Sequence, residues 1–293
     1  MKAPRVRKLA RILFVGILAL FALLILLLHV ASFFFGMHDR VISPFATRNI
    51  SYASGRWVRC YELKQPEAKW DIIFVHGTPA SAAAFMEQFR HPFPSANLVA
   101  YDRPGFGGSG PGLRKPSLDD QASVLDAMLP GNPARKTILV GHSYGAPIAL
   151  LAALKFPKRV AGVVLIGGSV DPAQERTYIL QRVADWPILA WLDPRPLRQC
   201  NRELLSLRAD LVSLQRGLPA LSVPVVMLHG GRDPLVPVAN VDYLRDQLAA
   251  LGKTNLFSEL VYPTYNHFIP WEHPDAVEKA IALIVTRQGE TAR

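Results

Sequence analysis

One stretch constrains this chain above all others. An apolar, strand-like run at residues 137–140 meets Gly141-His142-Ser143-Tyr144-Gly145, and a helix-like run at 146–155 follows at once. A Gly-x-Ser-x-Gly turn set between strand and helix holds a serine hydroxyl clear of the backbone at the end of a sheet. A Cβ at Gly141 or Gly145 would crowd the strand against the helix. The helix N-terminus behind Ser143 favours negative charge beside it. The pentapeptide also occurs as a turn without chemistry, so the rest of the chain decides between the readings.

Around that turn, short apolar runs alternate with helix-like segments. Strands are expected at 48–52, 57–63, 71–75, 98–101, 160–166, 223–228 and 256–262, and helices at 81–90, 117–129, 238–251 and 274–286. Ser117-Leu118-Asp119-Asp120 reads as a capping box, and Pro274 suits the first turn of a helix. The first two strands, joined by a turn at Ala53-Ser54-Gly55, mix apolar and polar residues as edge strands do. Alternation of this kind implies an α/β fold, with a largely parallel sheet covered on both faces and its site at the strand C-termini. At 293 residues, half of them hydrophobic, the chain can build one such domain around a sizeable core.

The region 171–218 breaks the alternation. It is helix-like, interrupted by Pro187, Pro194 and Pro196, and its bulky apolar residues include Tyr178, Ile179, Trp186, Ile188, Leu189, Trp191 and Leu192. It is expected to lie over the strand ends as a small cap. Two readings stay open: these residues line a lipophilic pocket, or they bind the cap to the core.

The N-terminus carries a second constraint. Residues 12–37 contain no Asp, Glu, Lys or Arg, and Lys2, Arg5, Arg7, Lys8 and Arg11 precede them. About 20 apolar residues cross a bilayer as a helix, whereas a secretory apolar region is shorter. Val30-Ala31-Ser32 makes a poor cleavage site, so an uncleaved anchor at 1–37 is expected, with a tether at 38–47 and the enzyme-like domain at 48–293. The basic cluster places the N-terminus in the cytoplasm and the domain on the extracytoplasmic side. Much of the net charge of +10 belongs to this cluster. No basic-aromatic stripe suggests nucleic acid, and the remaining positive charge suits an anionic membrane surface. Cys60 and Cys200 match no zinc or redox spacing and are read as two unpaired thiols.

A serine nucleophile needs a base within hydrogen-bond reach and an acid to orient that base. Asp233, in Gly230-Gly231-Arg232-Asp233-Pro234, follows one strand, and His267, in Tyr265-Asn266-His267-Phe268, follows the last. Either alone is a weak signal. Three strand-end positions in the order serine, acid, histidine make a triad of Ser143, Asp233 and His267. Asp171 is the rival acid. The His142 side chain is expected to diverge from the serine, His273 to be structural, and His229 has no assigned role. An oxyanion requires preorganised N–H donors, and the backbones of Tyr144 and Thr78 are the candidates. Asp102 reads as a cap for its own loop.

Residues from about 70 to 284 resemble the α/β-hydrolase family. The matching pieces are His76-Gly77-Thr78-Pro79, Asp102-Arg103-Pro104-Gly105-Phe106-Gly107, Gly141-His142-Ser143-Tyr144-Gly145, Gly231-Arg232-Asp233 and Asn266-His267-Phe268. The resemblance implies an eight-stranded, mostly parallel sheet and no metal or cofactor. The chain departs from the family in its short cap and in Asn266, where a glycine is common. The expectation is a membrane-anchored serine hydrolase of carboxylic esters, lipid or small, with no obligate protein partner. Thioester, lactone, amide and C–C bonds stay open as targets. A non-catalytic binding protein on the same fold is the alternative class.

Overall fold

The computed structural model describes residues 3–34, 45–53, 55–113, 116–130, 135–186 and 192–290. Eight strands form one sheet in the order β1-β2-β4-β3-β5-β6-β7-β8. They are β1 (Ala46–Ala53), β2 (Arg56–Leu63), β3 (Trp70–Val75), β4 (Ala96–Tyr101), β5 (Lys136–His142), β6 (Val160–Ile166), β7 (Val225–Gly230) and β8 (Phe257–Tyr262). Strands β3 to β8 are mutually parallel, and β2 runs against both β1 and β4. Only β1 of the first two strands is an edge; β2 is paired on both sides, which corrects the expectation of two edge strands. Strand β1 takes in Ala46 and Thr47, residues assigned above to the tether. The rest of that tether, from 38 to 44, and Ser54 of the first turn lie outside the described residues.

The central strands are buried on both faces, which is why they read as continuous apolar runs. Ile73 and Val75 of β3, Leu139 of β5 and Val163 and Leu165 of β6 face one core layer. Ile72, Phe74, Ile138, Val140, Val164 and Ile166 face the other. Helices α3 (Leu118–Asp126), α4 (Gly145–Lys155), α6 (Arg195–Gly217) and α7 (Ala239–Ala250) cover the first layer. Helix α2 (Met86–Arg90), the short α8 (Ile269–Glu272) and α9 (Pro274–Glu290) cover the second. In α9 the buried residues Ala276, Val277, Ala280, Ile281 and Ile284 recur at helical spacing. Each fully buried aliphatic side chain of this core contributes about 1.5–3 kcal/mol. Helix α3 starts at the expected cap, where Ser117 Oγ accepts the Asp120 N–H at 3.0 Å.

Between β6 and β7 lie α5 (Ile179–Ala184) and the 23-residue α6. The named apolar residues at the start of this segment face solvent. Tyr178, Ile179, Leu180 and Trp186 are 63–82% exposed. Pro187, Ile188, Leu189 and Trp191 lie outside the described residues. The N-terminal helix α1 spans Ala3–Phe34, and its apolar stretch Arg7–Ala31 is long enough to cross a bilayer and is not buried against the rest of the protein.

Candidate active site

The turn after β5 is as tight as its glycines suggest. A Cβ on Gly141 would lie 2.3 Å from the Gly145 oxygen, and one on Gly145 would lie 2.1 Å from the Val75 oxygen. Both positions therefore exclude any side chain. Ser143 sits at φ 55°, a left-handed conformation costly for a residue with a Cβ, and its N–H donates to the Ile166 oxygen at 2.8 Å. Such strain persists only where the surroundings over-determine it. Here the register of β5 against β3 and β6 fixes one side of the turn and α4 the other.

The loops after β7 and β8 bring Asp233 and His267 together. His267 Nδ1–H donates to Asp233 Oδ2 at 2.6 Å. The other carboxylate oxygen accepts the N–H groups of Leu235 and Val236, each at 2.8 Å. Burial pushes the Asp233 carboxyl up, but the His267 hydrogen bond and these N–H donors outweigh it and hold the group below its ordinary 3.8. The imidazole is thus oriented with Nε2 as its remaining nitrogen. Asp171 is used elsewhere: its Oδ1 accepts the Ala173 N–H at 2.8 Å.

Ser143 and His267 line one cavity of about 460 Å³, together with Thr78 and Tyr144. Among the described residues, no protein oxygen accepts the Thr78 or Tyr144 N–H. The apolar wall comes from Leu204 and Leu207 of α6, Leu235, Val236, Phe268 and Trp271. Among the described residues the lining includes no Lys or Arg, and its one carboxylate is Glu175. Burial raises the Glu175 carboxyl, partly offset by a hydrogen bond from Ser169. Cys200 also faces the cavity; burial pushes its thiol up to about 12 beside the Thr78 hydroxyl. Cys60 and Cys200 are both free.

His142 packs against His267. Its Nε2–H donates to the His267 carbonyl at 2.9 Å, and the two rings lie 4.7 Å apart. Burial, helped by the neighbouring His267, lowers the His142 imidazole to about 3. His229 lies 3.6 Å from Asp233 and donates from Nε2 to the Val236 oxygen. His273 stacks on Tyr265 at 3.5 Å, the structural role expected of it.

Sequence reading missed a second polar cluster behind the 76–78 loop. Arg103, wholly buried, forms a two-pronged pair with Glu203 of α6 at 2.6 and 3.0 Å. Its guanidinium also donates to the His76 and Gly77 oxygens, each at 2.9 Å. A signal existed in α6, whose buried positions run Gln199, Glu203, Leu207, Leu211, Leu214. A carboxylate on a buried helical stripe requires a buried cation opposite it. Asp102, by contrast, caps its loop as expected, accepting the Ala82 and Gly108 N–H groups.

A mostly parallel eight-stranded sheet with its polar loops gathered at the strand C-termini defines the α/β class of hydrolase folds. Residues 72–187 match the family model described as alpha/beta hydrolase fold, and the chain has that fold. It is 28% identical to human monoglyceride lipase over 275 residues, 82% of this chain and 90% of that protein. It is 25% identical to a probable cadicidin biosynthesis thioesterase of Streptomyces griseus over 261 residues, covering 82% of this chain and 68% of that one. Two other curated relatives are matched over only 28% and 31% of their own length. Among solved structures, a bacterial membrane phospholipase A shares the fold with TM-score 0.58 and 18% identity. That match covers 98% of this chain and 99% of the other.

Proposed function

We propose that the protein is a membrane-anchored serine hydrolase that cleaves uncharged esters of lipophilic acids through Ser143, His267 and Asp233. The observation that carries this reading is the 2.6 Å His267–Asp233 contact in the same cavity as a serine held at positive φ. Ser143 Oγ attacks the acyl carbonyl and gives its proton to His267 Nε2. The oxyanion that forms is taken by the N–H groups of Thr78 and Tyr144, which have no acceptor among the described residues. His267 then protonates the departing alcohol, and water, activated by the same imidazole, releases the acid. Asp233 holds the imidazole in the required tautomer and stabilises its cation.

The cavity supports the substrate class. Its aliphatic and aromatic wall suits an acyl chain, and Glu175 with no lysine or arginine disfavours a negatively charged leaving group. A monoglyceride lipase among the relatives fits an uncharged glycerol ester. Helix α1 is read as the anchor, with its basic end in the cytoplasm and residues 48–293 on the other side. The exposed Tyr178, Ile179, Leu180 and Trp186 suit a domain kept close to that bilayer.

The test uses the full chain in detergent micelles with p-nitrophenyl esters of rising acyl length, a matched thioester and a monoacylglycerol. Turnover that rises with chain length and vanishes in Ser143→Ala supports the reading. Turnover confined to short chains discards the lipid. A thioester preferred over its matched ester transfers the assignment to the thioesterase branch of the relatives. A folded wild type that cleaves none of them leaves a binding protein.

A further inference from the structure

We propose that Arg103 and Glu203 are positioning residues for the oxyanion-binding loop, so that cap helix α6 sets the geometry of the reaction at Ser143. This rests on the serine-hydrolase reading above and adds to it a role for the cap. The loop 76–78 has little secondary structure of its own to hold it. What fixes it is Arg103. Nε–H donates to the His76 oxygen and an Nη2–H to the Gly77 oxygen, both at 2.9 Å, and the Arg103 N–H donates to His76 Nε2 at 2.9 Å. These three bonds grip the two residues just before Thr78. The same guanidinium lies 4.9 Å from the Tyr144 ring and 4.8 Å from the Phe106 ring. Both proposed oxyanion donors, Thr78 and Tyr144, therefore adjoin one cation.

That cation is placed from the cap. Glu203 takes two of its N–H groups, and both side chains are wholly buried. Gln121 of α3 donates to Glu203 Oε1 at 2.8 Å, and Gln199, one turn earlier on α6, fits against Gly105 and Gly112 of the loop after β4. The carboxylate thus has one available position. Leu204 and Leu207, on the same helix, line the cavity. An acyl chain that presses on Leu204 presses on the helix that carries Glu203. A cap that only covered the site would need apolar contacts alone. A desolvated ion pair joined to the backbone of the donor loop costs more to bury and fixes a geometry that apolar packing does not.

Oxyanion donors act in the transition state, so displacing them lowers kcat and spares KM. The experiment is Glu203→Gln in the full chain, in detergent, on p-nitrophenyl butyrate, with active sites titrated by a fluorophosphonate. Titration removes misfolded protein from the count. The expected result is a roughly 10–100-fold fall in kcat per titrated site, below the ~10²–10³ lost when a donor is deleted outright. KM should stay within about twofold, and affinity for a boronic acid that forms a tetrahedral adduct on Ser143 should fall by the same factor as kcat. A kcat per titrated site within twofold of wild type overturns the proposal, as does a rise in KM at unchanged kcat. If Glu203→Gln does not fold, Glu203→Asp keeps the charge and moves it by one methylene. A several-fold loss of kcat at near-wild-type melting temperature then supports the proposal, and a loss below twofold overturns it. Wild-type protein that neither takes up fluorophosphonate at Ser143 nor cleaves any ester overturns the hydrolase reading itself, and the positioning role falls with it.

Discussion

Two buried polar clusters lie near the loop that carries Thr78, one at the cavity it lines and one bonded to His76 and Gly77, and they differ in what is left open. In the Asp233–His267 cluster the carboxylate is fully occupied, by one imidazole and two backbone N–H groups, while the far side of the imidazole faces a cavity. In the Arg103–Glu203 cluster both partners are sealed, and the guanidinium is spent on a carboxylate and two carbonyls. The first cluster keeps a nitrogen in reserve beside a strained serine. The second has no such reserve and no access. A buried charge network with every partner satisfied fixes geometry, whereas one with an open face can exchange a proton. Mutations in the two clusters should therefore separate activity from folding in opposite ways.

The largest effect is expected at the open cluster. Ser143→Ala should lower kcat by about 10⁶-fold, ~8 kcal/mol of transition-state stabilisation, as removal of a serine nucleophile does. Its melting temperature should stay within a few degrees of wild type, because the Cβ and its conformation are unchanged. Asp233→Asn should follow, with about a 10⁴-fold loss, since an amide at that position selects the wrong imidazole tautomer. The Leu235 and Val236 N–H groups keep their acceptor oxygen, so denaturant midpoints should barely move. A loss of stability comparable to the loss of activity in either variant would break the contrast between the clusters.

At the sealed cluster the order reverses. Arg103→Met leaves Glu203 buried without its cation, which typically costs 3–5 kcal/mol, and this should appear first as a lowered urea midpoint. The double variant Arg103→Met/Glu203→Leu removes the orphaned charge and should regain much of that stability, because apolar replacements of buried pairs are often neutral or better. It should not regain kcat, since the guanidinium that holds the His76 and Gly77 oxygens is then gone. Recovery of both together would place the cluster outside the reaction.

The two clusters also differ in how far they could be read before the structure. The strands and their order along the chain were legible because α/β sheets bury both faces, and β6 was bounded correctly at Val160–Ile166. Ser143 directly follows a strand and Asp233 and His267 lie in the loops after two others, so local pattern and chain order sufficed to nominate them. The expected partner of His267 is the residue that contacts it, and Asp171, nominated on the same grounds, is not. Arg103 and Glu203 are 100 residues apart, and only the packing of α6 over the loop after β4 joins them. The exposed side chains of α5 were misjudged for a related reason. A short helix has few buried positions, and bulk alone does not tell whether a side chain turns inward. The contact of His142 with His267 was not foreseen because it joins residues 125 positions apart through tertiary packing.

The smallest effect, and the most discriminating for the floor of the site, is in pH. His76, His142 and His229 are buried in neutral form, chiefly because burial disfavours the imidazolium, and each is held below its ordinary 6.5, His142 at about 3. The unfolded chain takes up protons below pH 6.5 that the folded chain refuses. Stability that is fully present above pH 6.5 is therefore lost as pH falls below it, for each histidine until its own lowered folded value is reached, and for His142 down to about 3 at about 1.4 kcal/mol per pH unit. Asp233 acts in the same direction, but only as pH falls past 3.8 and toward its lowered folded value. Burial raises the carboxyls of Glu175, Asp193 and Asp210, which act in the opposite direction but equally in wild type and variant, so between 4.5 and 6.5 the difference between the two slopes reports the histidine. His142→Gln preserves an N–H donor for the His267 carbonyl and removes one titration. Urea unfolding across that window should show a slope smaller by one proton in this variant. An unchanged slope would mean that His142 is protonated in the folded protein, and with it that the bond to the His267 carbonyl is not made by a neutral imidazole.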